Sequence, residues 1–216
     1  MTRAHARAWR TIALTIGALA LAACRDRDVE VAADESQSVH VREVIAAGGV
    51  VDSVLPIDEH LRRFRANLSE RPDTLRHASS AIEALVHRWA AAVSQRDTVS
   101  LRRMSLDAAE FAWLYYPGSQ LSKPPFESPP LLLWDRLQSS SESGARQVLT
   151  RFGGRRFDVL AVTCPPPNDT TSHSRVYSSC RVRVRLNTRT PIEDRLFGSI
   201  IEHDGRFKFL GYANRL

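Results

Sequence analysis

The 216-residue sequence contains no apolar run of the length that crosses a membrane. A spanning helix needs about 20 such residues, so no part of the chain predicts a stable span. It has only three cysteines, and no two of them have the spacing of a paired zinc-binding motif. The seven histidines never stand four residues apart, so the two-histidine helical metal motif is missing as well. A glycine-rich phosphate loop and a G-x-S-x-G nucleophile elbow are also absent. These absences predict neither a metal nor any other cofactor. Aromatic residues are not interleaved with basic ones as in a base-stacking surface, so nucleic acid is not an expected partner.

The N-terminus is informative. Arg3, Arg7 and Arg10 precede Thr11 to Ala23, an uncharged stretch that ends in small residues and is followed by Arg25, Asp26, Arg27 and Asp28. Positive charge, a short apolar segment and small residues, in that order, form a secretory signal. Leu21, Ala22, Ala23 and Cys24 resemble the lipobox of bacterial lipoproteins, in which the cysteine is acylated and becomes the new N-terminus. An ordinary signal peptide with a cysteine near its cut site is the alternative. The resemblance implies lipidation of Cys24 and attachment to a membrane, since several acyl chains anchor stably where one anchors only marginally. Arg25 stands where an aspartate resembles an inner-membrane retention signal, so the outer membrane is favoured in a host with two membranes.

Removing residues 1–23 leaves 27 basic residues against 24 acidic ones, a mild excess of three. The 193 mature residues suffice for one domain with a real core and a tether. Residues 24–55 are expected to be the lipid anchor and a solvated tether, and residues 56–216 the domain. With Cys24 assigned to lipid, Cys164 and Cys180 remain as an even pair in an oxidising compartment. A bridge between them closes a loop of about 15 residues, worth roughly 3 kcal/mol on the chain-entropy model. The alternative is two separate buried thiols, each acting as a small hydrophobe.

Hydrophobic spacing predicts helices first. Ile57, Leu61, Phe64 and Leu68 follow Pro56 at helical intervals, with Asp58 and Glu59 in the first turn. Leu75, Ala78, Ile82, Leu85, Trp89 and Val93 predict a longer helix capped by Thr74. A third helix is expected near Thr98 to Met104, and Asp107 with Glu110 has capping-box spacing for a fourth, stopped by Pro117 and Gly118. Prolines from Ser119 to Pro130 predict an ordered, non-helical loop. Leu131–Gln138 and Ala145–Phe152 read as two helical pieces separated by a serine-rich turn. Beyond them the period becomes two, predicting strands at Arg155–Cys164, about Val176–Leu186, about Glu193–His203 and Arg206–Tyr212, the last two joined by an Asp204-Gly205 hairpin. Helices followed by an antiparallel meander predict an α+β fold.

That order resembles the nuclear transport factor two-like superfamily, also called SnoaL-like or ketosteroid-isomerase-like. The resemblance rests on the helix Ala78–Ser94 leading into Gln95, Arg96 and Asp97, on the helix Ala145–Phe152 before the sheet, and on the final hairpin. It implies a single domain whose N-terminal helices cover a curved, cone-like antiparallel sheet. Many members bind small apolar molecules inside the cone; others are structural or bind proteins. The superfamily's catalytic pattern does not carry over, because His87 and Trp89 stand where an oxyanion-donating tyrosine is sought and no strand offers an obvious base.

Two surfaces are candidate sites. Trp89, Phe111, Trp113, Tyr115, Tyr116 and Trp134 concentrate aromatic mass that would line the cone mouth or a partner groove, or else pack beneath the proline loop. His203, Tyr115, Tyr116 and Asp107 are a looser set that would converge on a pocket if catalysis occurred, with surface and packing roles as the alternative. Arg175, Arg181, Arg183 and Arg185 share one predicted strand face, suited to acidic lipid headgroups or an acidic partner, or else a solvated face laced with Glu193 and Glu202. The expected function is a non-catalytic, membrane-anchored module that binds a small apolar ligand or an envelope protein. An isomerase- or cyclase-like enzyme, or a structural envelope protein, are the alternatives.

Overall fold

The computed structural model describes residues 55–171, 173–186 and 190–214. The expected signal peptide, Cys24 and all but the last residue of the expected tether lie outside the described residues.

Helix α1 (Ile57–Ala66) follows Pro56, carries Asp58 and Glu59 in its first turn and Arg63 and Arg65 in its last, and so opposes its own dipole at both ends. The second helix begins later than its periodicity predicts: α2 spans Ile82–Gln95, with Ala81 and not Thr74 before it. Backbone pairing takes the missing turns, because Ser79 exchanges hydrogen bonds with Phe207 in both directions, at 3.0 and 2.8 Å. His77 adopts a left-handed φ of 55° just upstream, which no helix accommodates. Leu75 and Ala78 still bury apolar surface, which explains why they fit the pattern without joining the helix.

Arg96 ends α2 in the left-handed conformation, and Asp97 then caps α3 (Thr98–Met104) by accepting from the Ser100 N–H at 3.0 Å. The capping box forms as expected at α4 (Ala108–Glu110). The chain winds on as a π turn over Phe111–Tyr115 and a 3-10 turn over Tyr116–Gly118. The proline segment carries one further 3-10 turn, Gln120–Ser122, and a cis Pro124–Pro125 bond.

Where two helical pieces were expected, there is one 23-residue helix, α5 (Pro130–Phe152). Its serines and glycine are there for close approach. The Ser141 hydroxyl accepts from the Tyr212 N–H at 3.0 Å, and a Cβ on Gly144 would overlap the Tyr212 carbonyl. Small side chains let the C-terminal segment lie against the helix.

Seven short strands follow among the described residues: β1 (Phe157–Thr163), β2 (Asp169–Thr170), β3 (Ser174–Tyr177), β4 (Arg181–Leu186), β5 (Ile192–Asp194), β6 (Ile200–His203) and β7 (Arg206–Phe209). They pair antiparallel in two sheets, β1-β4-β5 and β2-β3-β6-β7. The fold is therefore α+β. Two of the expected long strands are each broken. Ser179, at φ 61°, separates β3 from β4, and residues 195–199 separate β5 from β6. The two breaks lie side by side, since the Ser178 and Ser199 hydroxyls are 2.9 Å apart. The disulfide between Cys164 and Cys180 joins the end of β1 to the start of β4 at this same place. Asp204 and Gly205 both take positive φ, 46° and 74°, and turn β6 into β7 as the sequence predicts.

Two apolar clusters result. One lies between α2, α5 and the inward faces of β4, β6 and β7; the other gathers α1, residues 111–116 and the first half of α5. Strand β6 separates them: Ile200 belongs to the first cluster and Ile201 to the second, and all four of its residues are buried.

Candidate functional site

The space between α2 and the sheets is filled by the protein's own aromatics. Trp89 meets Phe197 edge-on at 5.4 Å between centroids, Phe197 meets Phe209 at 4.8 Å, and Phe209 meets Tyr212 at 5.0 Å. These four residues are at most 3% exposed. The Tyr212 hydroxyl donates to the Leu101 carbonyl at 2.7 Å, so even its polar end is spent on structure. Burial pushes this phenol well above its usual pKa.

The six aromatic candidates do not come together. Trp89 lies in the first cluster. Phe111 sits at the centre of the second, with Tyr115, Tyr116 and Trp134 around it at 5.9, 5.6 and 5.2 Å between centroids. Tyr116 donates to the Ser128 carbonyl at 2.7 Å; burial, with the Asp58 carboxylate nearby, pushes its pKa up to about 12. Trp113 points outward, with the Arg65 guanidinium 3.7 Å and that of Arg71 4.7 Å from its ring centroid. Trp113 borders an open cleft shared with Arg71, Pro72, Asp73 and Leu114.

The looser set of His203, Tyr115, Tyr116 and Asp107 is likewise dispersed among packing and capping roles. Asp107 caps α4 and pairs with Arg76 at 2.6 Å. His203 Nδ1 lies 2.7 Å from the buried Ser174 hydroxyl, and its Nε2 lies 3.6 Å from Asp204. Serine, imidazole and carboxylate thus stand in the order of a nucleophilic relay. Ser174 and His203 are, however, both buried, and they are register partners on β3 and β6 whose contact ties the strands together.

The strongest polar constellation was not foreseen. Lys208 Nζ donates to Glu110 Oε2 at 2.6 Å, and both side chains are at most 2% exposed. Glu110 also accepts from the backbone N–H groups of Arg76, at 2.6 Å, and Asp107, at 3.0 Å. Burial pushes the Lys208 ammonium down, against the pull of Glu110. Lys208 occupies a period-two position that reads as solvent-facing in a half-buried strand. Its sheet is covered on both faces, and Glu110, with Asp107 nearby, makes the charge tolerable there.

The arginine surface divides. Arg181, Arg183 and Arg185 project from the exposed side of β4, with Glu193 opposite Arg183 in the neighbouring strand. Arg175 lies on the other sheet and donates to Glu202 at 2.8 Å, where Tyr177 also donates at 3.0 Å. An open cleft of about 340 Å³ lies at the double break, lined by Leu137, Ser178, Arg195, Phe197, Ser199 and Asn214 among others. Asn214 donates to the Gly144 and Leu196 carbonyls at 3.0 and 3.3 Å, while its Oδ1 is buried without a partner among the described residues. No group of three or more potential metal ligands occurs among the described residues, and no helix among them is long and apolar enough to cross a membrane.

Comparison with family models, with curated proteins and with solved structures finds no match to this chain.

Proposed function

We propose that this chain is an exported, lipid-anchored envelope protein that works through its surface, as a structural or protein-binding module, and that catalyses no reaction. The single observation that carries the reading is the aromatic column Trp89, Phe197, Phe209 and Tyr212, which fills the space between α2 and the sheets with the protein's own side chains. On this reading the domain is a cone of the nuclear transport factor two-like type, bent at the two strand breaks and closed by its own side chains. An isomerase or cyclase needs a cavity with an ionisable group inside it, and the buried ionisable groups here are engaged by structural contacts: Glu110 by Lys208 and two backbone N–H groups, Glu202 by Arg175 and Tyr177, and His203 by Ser174. Export and lipidation are supported by Leu21-Ala22-Ala23-Cys24 after a short apolar run, and by the disulfide, which fits an oxidising compartment.

Two measurements on one preparation test the reading. Cells supplied with labelled palmitate should incorporate it into the native chain and not into Cys24→Ser, which should leave the membrane fraction. The purified protein should show no saturable binding of a fluorescent apolar probe; one-to-one binding that Trp89→Ala abolishes would refute the filled interior.

A further inference from the structure

Among the described residues, four of the five large apolar side chains that are exposed fall in one short stretch. Leu121, Phe126, Leu131 and Leu132 are 38%, 60%, 65% and 52% exposed, and Pro124 and Pro125 between them are exposed as well. The stretch is held in a defined shape. The Ser128 N–H donates to the Leu121 carbonyl at 2.8 Å, the Phe126 N–H to the Lys123 carbonyl at 2.9 Å, and the Tyr116 hydroxyl to the Ser128 carbonyl at 2.7 Å. An ordered loop that displays leucine and phenylalanine together to water forms an apolar patch of the kind that marks a protein or membrane contact.

The chain itself says what that is. The domain begins at Leu55 and Pro56, and α1 packs its Ile57, Leu61 and Phe64 into the same cluster as Leu133, Trp134 and Leu137 of α5, directly after the exposed leucines. Asp58, in the first turn of α1, is close enough to the Tyr116 hydroxyl to raise its pKa, and that hydroxyl is bonded to Ser128 in the loop. The point where the anchor segment joins the domain therefore lies beside the apolar loop. Between Cys24 and Leu55 stand only thirty residues, which can span at most about 100 Å.

We propose that the loop Leu121–Leu132 is a second membrane contact, with Phe126, Leu131 and Leu132 seated in the interfacial layer of the bilayer that holds the lipidated Cys24. The proposal rests on the lipid-anchor reading. Tethering makes the contact intramolecular, at effective concentrations that reach the millimolar range, so a patch too small to bind a bilayer by itself suffices. The contact fixes which face of the domain looks away from the membrane. Val99, also 60% exposed, lies toward the far end: its neighbours Thr98 and Leu101 line a groove with Ala145, Arg146 and Leu149, roughly 25 Å along α5 from Leu131.

The test couples Cys24 of the mature chain, the thiol left over once Cys164 and Cys180 are paired, to a maleimide-headgroup lipid in phosphatidylcholine vesicles with brominated acyl chains. Phe126→Trp and Val99→Trp report depth by quenching. The emission added by Phe126→Trp should be largely lost and that added by Val99→Trp retained, and Leu131→Ser with Leu132→Ser should restore most of the Phe126→Trp emission. Equal quenching at both positions, or none at either, overturns the proposal. So does a blue-shifted Phe126→Trp emission without vesicles: independent of concentration it means that residues 25–54 cover the loop, and growing with concentration it means a second copy does. Because the coupling is chemical, a failure of palmitate labelling in cells would overturn the lipid-anchor reading by itself and leave the quenching result to be judged separately.

Discussion

Lys208 Nζ lies 2.6 Å from Glu110 Oε2, joining two fully buried side chains that are 98 residues apart in the chain. The pair sits where α4 meets the last strand, and the carboxylate is further held by two backbone N–H groups. Removing one partner leaves a buried charge without its counterion, which costs about 3–5 kcal/mol. Glu110→Ala should fall at the upper end, because it strands the ammonium and both N–H donors; Lys208→Met should fall at the lower end, because those donors still satisfy Glu110. Urea unfolding of the two variants and of the double variant checks this. A cost below about 1 kcal/mol for either single change, or simple additivity in the cycle, would show that the pair is not coupled in solution.

The Cys164–Cys180 bond closes a loop that begins at the end of β1 and returns at the strand break. A loop of this length constrains the unfolded chain by roughly 3 kcal/mol, so Cys164→Ala with Cys180→Ala should lower stability by that order. Mass spectrometry of unreduced peptides should find both thiols protected; alkylation of both under native conditions would remove the bond and with it one support for export.

Local chemistry was legible in the sequence and long-range pairing was not. The Asp107–Glu110 capping box and the Asp204-Gly205 turn each depend on residues within three positions of one another, and both form. The start of α2 departs from its local periodicity because Ser79 pairs with Phe207, 128 positions away, and no local pattern carries that information. The strand break at Ser179 was hidden by parity. Val176, Cys180, Val182 and Val184 keep an even spacing straight through it, so the alternation looks continuous while the chain changes sheets. The burial of Lys208 is hidden for a related reason: a charged residue in an alternating strand reads as solvent-facing unless both sheet faces are known to be covered.

Gly144 offers a sign test of the helix merger. In an exposed helix interior, glycine to alanine stabilises by about 1 kcal/mol. Here the added methyl would overlap the Tyr212 carbonyl, backbone that cannot swing aside as a flexible side chain does. Gly144→Ala should therefore destabilise, by about 1–3 kcal/mol as overpacking does. Thermal melting reads the sign directly, and a rise in Tm would mean that the C-terminal segment does not lie against α5.

The clearest pH signature belongs to α1, where Glu59 receives Arg62 at 2.6 and 2.7 Å and Arg63 at 2.7 Å. The hydrogen bonds from Arg62, then the one from Arg63, lower its pKa from 4.5 to about 2. A carboxylate whose folded pKa is depressed contributes stability that is fully present above its unfolded value and is lost as pH falls through the folded one. The contribution of Glu59 should therefore hold above pH 4.5 and fade between there and about 2. A carboxyl-carbon NMR titration should find its midpoint near 2, and Arg62→Gln should raise it further than Arg63→Gln does. Since the arginines are exposed, added salt should raise the midpoint too. A midpoint at 4.5 that ignores both salt and the Arg62 change would mean that the fork of arginines does not persist in water.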